Sequence, residues 1–284
     1  MSHPLPSTAV TGATGAVGGA VARSLAAAGV AQRLLVRDVA RAPELSGARP
    51  IRCSYSGEPE TVRALEGVET LLMVSASESA DRLSLHRAFV DAAQAAGVAH
   101  IVYTSFAGAA PDAVFTLGRD HFATEQHILA ARMGYTFLRD NLYLDFLEEM
   151  VGDDGVIRGP ADDGRVAAVA RADVARTAAV VLQDVSRHRD VAYTLTGPEA
   201  LTLAEVAEML SAARGTRVSY HPETISEAYE SRRKWNAPDW QLDAWVSTYT
   251  AIAAGEVAAV TDHVLRVTGQ RPQSLAELLA AGPP

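Results

Sequence analysis

The chain has 284 residues, 48% of them hydrophobic, enough to bury the core of one large α/β domain with or without a smaller attached part. A net charge of −9, from 34 acidic against 25 basic residues, leaves no basic footprint for nucleic acid or anionic lipid and favours a small-molecule substrate. A single cysteine, Cys53, excludes an internal disulfide or a cysteine-based zinc cluster, Met1–Pro6 lacks the layout of a signal peptide, and no apolar run approaches the roughly 20 residues that span a bilayer, so a cytoplasmic protein without a membrane partner is expected.

Short apolar runs alternate with helical patterns through the first half, the mark of βαβ units and a parallel sheet. Strands are predicted at Thr8–Thr11, Arg33–Val36, Pro50–Cys53, Thr70–Ser75 and His100–Thr104, with a sixth at Tyr135–Leu138. Helices are predicted at Val17–Ala28, Glu58–Leu65 and Asp81–Ala96, the last closed by Gly97. Gly152, Gly155, Gly159, Pro160 and Gly164 then punctuate a stretch of loop and short strands over 151–170. Arg171–Leu182 reads as a helix with Asp173 in its first turn, Ala192–Leu195 as strand, and Thr202–Ala213 as a helix opened by the capping box Thr202-Leu203-Ala204-Glu205. The rest is mostly helical and holds Trp235, Trp240 and Trp245. With Tyr229 and Tyr249, these three either roof a flat substrate or pack helices together.

The first strand runs straight into Gly12-Ala13-Thr14-Gly15-Ala16-Val17-Gly18 and a helix, the arrangement in which backbone N–H groups at a helix N-terminus face a pyrophosphate. The second strand ends on Arg37, whose planar guanidinium suits the 2′-phosphate of NADP, with Arg41 four residues on; Asp38 beside it would instead suit a ribose hydroxyl. The expected fold is therefore a doubly wound, parallel-sheet α/β Rossmann domain over 1–196, followed by a smaller, mostly helical substrate-covering part over 197–284. The eight histidines show no H-x-x-x-H or H-E-x-x-H spacing, and no metal site is inferred.

Several blocks carry a family resemblance: TGATGAVGGAVARSL, LLVRDVARAPEL, ALEGVETLLMVSA, AFVDAAQAAGVAHIVYTS, HFATEQHILAARMGYTFLRDNLY and GPEALTLAEVAEMLSAARGTRVSY. Together they make the chain resemble the NmrA-like, atypical branch of the short-chain dehydrogenase/reductase superfamily, in particular its bacterial type-2 NAD(P)H:quinone oxidoreductases. The resemblance implies that Gly12, Thr14, Gly15, Val17 and Gly18 contact the pyrophosphate of NADP(H) and Arg37 its 2′-phosphate. Ser75, Ala76 and Ser77 would line the adenine and ribose side, Thr104, Ser105 and Phe106 would border the nicotinamide, Asn141 would lie close to its ring, and Tyr143 would face the substrate.

The Tyr-x-x-x-Lys pair of most dehydrogenases in that superfamily is missing. Counted without gaps, its positions fall at Arg119 and Ala123, and only Ser105 keeps a place equivalent to the family's catalytic serine. His121 and Glu125, one helical turn apart, offer a replacement proton donor if the register slips by two residues; in the ungapped register residue 121 lies about 200° round the helix from residue 119. The catalytic candidates are thus Ser105, His121 and Tyr143. The expected activity is NADPH-dependent hydride transfer to a quinone or related conjugated or polycyclic carbonyl; the alternative is a non-catalytic NADP(H)-binding redox sensor. A homo-oligomer is compatible with the sequence, which does not specify one.

Overall fold

The computed structural model describes residues 5–282. In chain order its elements are β1 (Thr8–Thr11), α1 (Ala16–Ala27), β2 (Gln32–Val36), β3 (Ala48–Arg52), α2 (Pro59–Leu65), β4 (Thr70–Met73), α3 (Arg82–Ala95), β5 (His100–Phe106), α4 (Thr116–Ala130), β6 (Gly134–Asp140) and α5 (Leu144–Leu147). There follow β7 (Val156–Gly159), β8 (Arg165–Val166), α6 (Arg171–Gln183), β9 (Val191–Leu195), β10 (Leu201–Thr202), α7 (Leu203–Arg214), β11 (Ser219–Pro222), α8 (Ile225–Arg232), α9 (Asp239–Ala253), α10 (His263–Thr268) and α11 (Leu275–Ala281).

The chain divides into two compact units. The first comprises residues 5–105, Phe122–Arg139 and Val174–Tyr193; the second Phe106–His121, Asp140–Asp173 and 194–282. A single cut between 196 and 197 describes chain order, whereas the units interleave, because the segments that follow β5 and β6 pack into the second unit before the chain returns to the first.

The first unit carries a seven-stranded parallel sheet in the order β3-β2-β1-β4-β5-β6-β9. β1 is flanked by β2 and β4, with Thr8 opposite both Gln32 and Thr70, so the strand order reverses there and a crevice opens at the carboxyl ends of β1 and β4. Strands covered on both faces need continuous apolar runs, as the fully buried β2 and β5 show. β2 nonetheless opens with two buried polar residues. Gln32 donates from its amide to Ala22 O at 2.7 Å, and the Arg33 guanidinium caps the end of α2 through Ala64 O and Glu66 O at 3.0 and 2.8 Å. The core of this unit packs Leu65, Leu71, Met73, Phe89, Ile101 and Ile128 together.

Element boundaries move for identifiable reasons. β3 begins two residues before the predicted Pro50; it is an edge strand with three of five residues exposed, so no apolar run marks its start. β4 stops at Met73 rather than Ser75 because hydroxyls replace the neighbouring strand as acceptors: Val74 N donates to Thr11 Oγ1 and Ser75 N to Thr104 Oγ1, each at 2.8 Å. β5 and β6 run two residues past their predicted ends, to Phe106 and Asp140.

The second unit holds the antiparallel pair β8–β10, the parallel pair β7–β11 and helices α7 to α11 around Leu144, Ile157, Leu203, Leu210 and Ile252. Gly159 illustrates what the glycines of 151–170 do: a Cβ there would lie 2.1 Å from the Tyr249 ring, so the strand end packs flat on that aromatic. The capping box of Thr202 and Glu205 forms as read, and no helix of the described residues is long and apolar enough to cross a membrane.

Candidate coenzyme and proton-transfer site

Gly12 ends β1 at φ +66, a conformation open to glycine, and lets the chain turn so that Gly15 N donates to Gly12 O at 2.9 Å. Gly18 is required by packing, since a Cβ would stand 2.4 Å from Gly12 O and 2.5 Å from Thr11 O. Gly15 is different: a Cβ there meets only Gly12 O, at 3.4 Å, and Thr14, Gly15 and Ala16 are exposed. No side chain caps the twelve-residue helix α1. The fold therefore leaves Gly15 bare above an uncapped helix start, a cradle that fits a phosphate and that a side chain would fill.

At the end of β2, Thr14, Arg37, Asp38 and Arg41 line an open cavity of about 90 Å³. Asp38, which is exposed, accepts from Ala40 N at 3.0 Å through Oδ1 and caps the turn Val39–Arg41. Arg37 and Arg41 are exposed and pair with no acid among the described residues. Two guanidiniums that pair with no acid among the described residues stand beside Thr14, a donor set that fits a phosphate.

The loop after β4 is held from beneath. Ala76 N donates to His86 Nε2 at 2.9 Å, Arg82 Nε donates to Ala76 O at 2.9 Å, and Tyr55 donates to Val74 O. His86 is fully buried; burial and, secondarily, the charge of Arg82 push its pKa down to about 3. Because Nε2 accepts, the ring proton sits on Nδ1 and donates to Thr124 Oγ1 at 3.0 Å. His86 and Tyr55 thus position Ser75 and Ala76, and sequence reading missed both. His86 shares the buried face of α3 with Phe89, Val90 and Ala93, a helical spacing that flags it as interior, whereas Tyr55 lies in a loop with no periodic signal.

Ser105 sits near the end of β5 with its hydroxyl donating to Glu125 Oε1 at 2.6 Å. The Glu125 side chain is 1% exposed and is gripped by Arg139, Nε to Oε1 at 2.9 Å and Nη2 to Oε2 at 2.7 Å. The Glu125 carboxylate thus binds both Ser105 and Arg139, and the serine oxygen is left with lone pairs to accept with. Thr104, its neighbour, receives Ser75 N.

In the second unit, Phe106 packs on Phe115 at 4.9 Å and on the buried ring of His121 at 6.1 Å. Arg119, at the usual tyrosine position, donates from Nε to Ala113 O at 2.8 Å and so holds its own loop. Asn141 is a bracket: Nδ2 donates to Val257 O at 2.9 Å and Oδ1 accepts from Leu142 N at 2.7 Å. Tyr143 is half-buried; its hydroxyl donates to Asp140 Oδ2 at 3.0 Å, and the Arg171 guanidinium lies 5.2 Å over its ring. Asp140 is buried, and that burial raises its carboxyl well above the usual range, while burial and then Asp140 raise the Tyr143 phenol. Asp140 Oδ1 meets no hydrogen-bond partner. The aromatic group divides: Tyr249 is buried core beneath Arg232, whereas Trp235 is 57% exposed, edge-on to Trp245 at 5.8 Å.

Known proteins resemble this chain in sequence and fold. The NmrA-like family matches residues 7–231. The NAD(P)H azoreductase of Xenophilus azovorans is 33% identical over 96% of this chain and 96% of its own. The structure of the NADPH-dependent quinone oxidoreductase of Escherichia coli complexed with NADPH is similar with a TM-score of 0.88 and 30% identity, covering 96% of this chain and 99% of that one. That of the Citrobacter sp. triphenylmethane reductase complexed with NADP(H) has a TM-score of 0.84 and 31% identity, covering 98% and 100%. The family resemblance carried by the glycine turn, the Arg37 strand end and the blocks that follow is thereby borne out, and the chain belongs to the NmrA-like family.

Proposed function

We propose that this protein passes a hydride from NADPH to conjugated acceptors, quinones foremost. The enzyme class is the one its relatives share: the chain is an oxidoreductase that uses NADP(H). The finer reading rests on one observation. The usual phenol–ammonium pair is replaced by Arg119 and Ala123, and the remaining serine has its proton committed to Glu125. Such a site suits acceptors whose product anion is delocalised and needs less protonation than an alkoxide.

In this reading the bare turn at Gly12, Thr14, Gly15, Val17 and Gly18 binds the pyrophosphate, and Arg37 with Arg41 binds the 2′-phosphate. Ser75, Ala76 and Ser77, held by His86, line the adenine and ribose side. Thr104, Phe106 and Asn141 border the nicotinamide end, while Ser105 accepts a hydrogen bond there rather than giving one. The reduced nicotinamide supplies the hydride when bound. His121 and Tyr143 orient the acceptor, so that positioning carries much of the rate.

Steady-state NADPH oxidation with menadione, other quinones and an isolated ketone tests this. Turnover with quinones at rates well above the ketone is expected. Binding of NADPH without turnover of any acceptor would point to a sensor, and preference for the isolated ketone would contradict the quinone reading.

A further inference from the structure

The loop that follows β4 is partly open to solvent, yet nearly every backbone polar group of Val74, Ser75 and Ala76 is claimed from beneath. Val74 N donates to Thr11 Oγ1 and Ser75 N to Thr104 Oγ1, each at 2.8 Å; Val74 O accepts from Tyr55; Ala76 N donates to His86 Nε2 and Ala76 O accepts from Arg82 Nε, each at 2.9 Å. The exception is the Ser75 carbonyl, which receives no donor among the described residues. Its direction is nevertheless fixed. Ser75 C=O and Ala76 N–H belong to one planar trans peptide and point opposite ways, so with the N–H held by the fully buried His86 ring, the carbonyl faces away from the interior. His86 is fixed in turn through Nδ1, which donates to Thr124 Oγ1 at 3.0 Å.

We propose that the Ser75 carbonyl is a receptor for a ribose hydroxyl of the bound dinucleotide, and that His86, acting through the shared peptide, is the residue that positions it. This rests on the coenzyme reading above, with the pyrophosphate at the glycine turn. The turn and the loop are neighbours within the first unit: Gly12 is exposed, and a Cβ on it would lie 3.2 Å from Val74 Cβ. In a dinucleotide the groups attached to either side of the pyrophosphate are riboses, whereas the adenine amino group and the carboxamide lie at the far ends. A carbonyl next to the pyrophosphate turn therefore meets ribose hydroxyls first, and a fixed acceptor without a partner suits a hydroxyl that has a proton to give. Preformation strengthens the contact. A loop already held by Thr11, Tyr55, Arg82, His86 and Thr104 loses little conformational freedom when the coenzyme arrives.

The test is binding, followed by calorimetry or dihydronicotinamide fluorescence, of NADPH and of its two halves, 2′,5′-ADP and reduced nicotinamide mononucleotide. His86→Leu frees the peptide. It is expected to weaken NADPH about 3-fold to 10-fold, the size of one neutral hydrogen bond, and to weaken one half by the same factor while sparing the other. The half that is weakened identifies the ribose. His86→Gln, whose side-chain oxygen can replace Nε2 as the acceptor for Ala76 N, should restore affinity to within about 2-fold. Should the leucine variant fail to fold, Tyr55→Phe carries the same comparison, since it releases the preceding peptide at Val74 O and keeps its ring stacked on Phe89 at 4.3 Å. Unchanged NADPH affinity, equal losses on both halves, or a glutamine variant as weak as the leucine one would overturn the proposal alone. A Gly15→Val protein that binds NADPH normally would overturn the coenzyme placement, and the proposal with it.

Discussion

Arg37 and Gly15 are the residues at which coenzyme recognition is most sharply tested. Arg37 is exposed and pairs with no acid among the described residues, while Asp38 beside it caps its own turn. Arg37→Ala is expected to weaken NADPH binding by about 1.5–3 kcal/mol, the worth of a charge-assisted hydrogen bond, and to leave NADH almost unaffected. Equal weakening of both in calorimetry would show that the 2′-phosphate lies elsewhere. Gly15 and Gly18 separate binding from folding. A Cβ at 15 meets only one atom, at 3.4 Å, whereas at 18 it meets backbone at 2.4 Å. Gly15→Val should abolish coenzyme binding with little change in melting temperature, and Gly18→Ala should lower the melting temperature itself; a Gly15→Val protein that binds NADPH normally would remove the pyrophosphate from this turn. Ser105→Ala should cost no more than about 10-fold to 100-fold in kcat towards a quinone, because the serine hydroxyl is a committed donor to Glu125 and supplies no proton.

Among the elements, the strands on either side of the crevice were legible because burial on both faces writes itself as apolar runs, and α1, α3 and α7 because glycine turns and capping boxes punctuate them. What stayed hidden are contacts that periodicity cannot encode. The pairing of β7 with β11 joins residues some 60 positions apart, and the Ser105–Glu125–Arg139 and Asp140–Tyr143 groups are set by tertiary packing. The same packing fixes the acid sensitivity of α3 and β5. His86 accepts from a backbone N–H, and His100 donates from Nε2 to Thr136 while its buried Nδ1 has no partner, so protonating either ring inserts an N–H with nowhere to donate. Their pKa values, about 3 and about 4, lie below the unfolded value of about 6.5. Between these values the unfolded chain binds protons that the folded chain does not. Their contribution is therefore complete above pH about 6.5 and is lost as pH falls, at up to about 1.4 kcal/mol per pH unit for each histidine. Urea titrations between pH 7 and 4.5 should show this loss, and His86→Gln should make it shallower; an unchanged slope would mean that His86 does not titrate in this way.

Across the whole molecule, an acidic chain whose described residues include no helix able to span a membrane carries a bare glycine turn in one unit and a buried acid–phenol pair in the other. Membership of the NmrA-like family settles fold and coenzyme more firmly than acceptor, because relatives of about 30% identity carry azo, quinone and triphenylmethane names on one scaffold. Physical chemistry gives that spread a common thread: each acceptor takes a hydride into a conjugated system, and the proton demand differs from one to the next. The most direct measurement of the central claim is steady-state oxidation of NADPH by the purified protein with menadione, alongside NADH under the same conditions. Saturable turnover with NADPH clearly preferred over NADH, a preference lost in Arg37→Ala, is the expected result. Tight NADPH binding with no turnover, or equal use of the two coenzymes, would contradict the account.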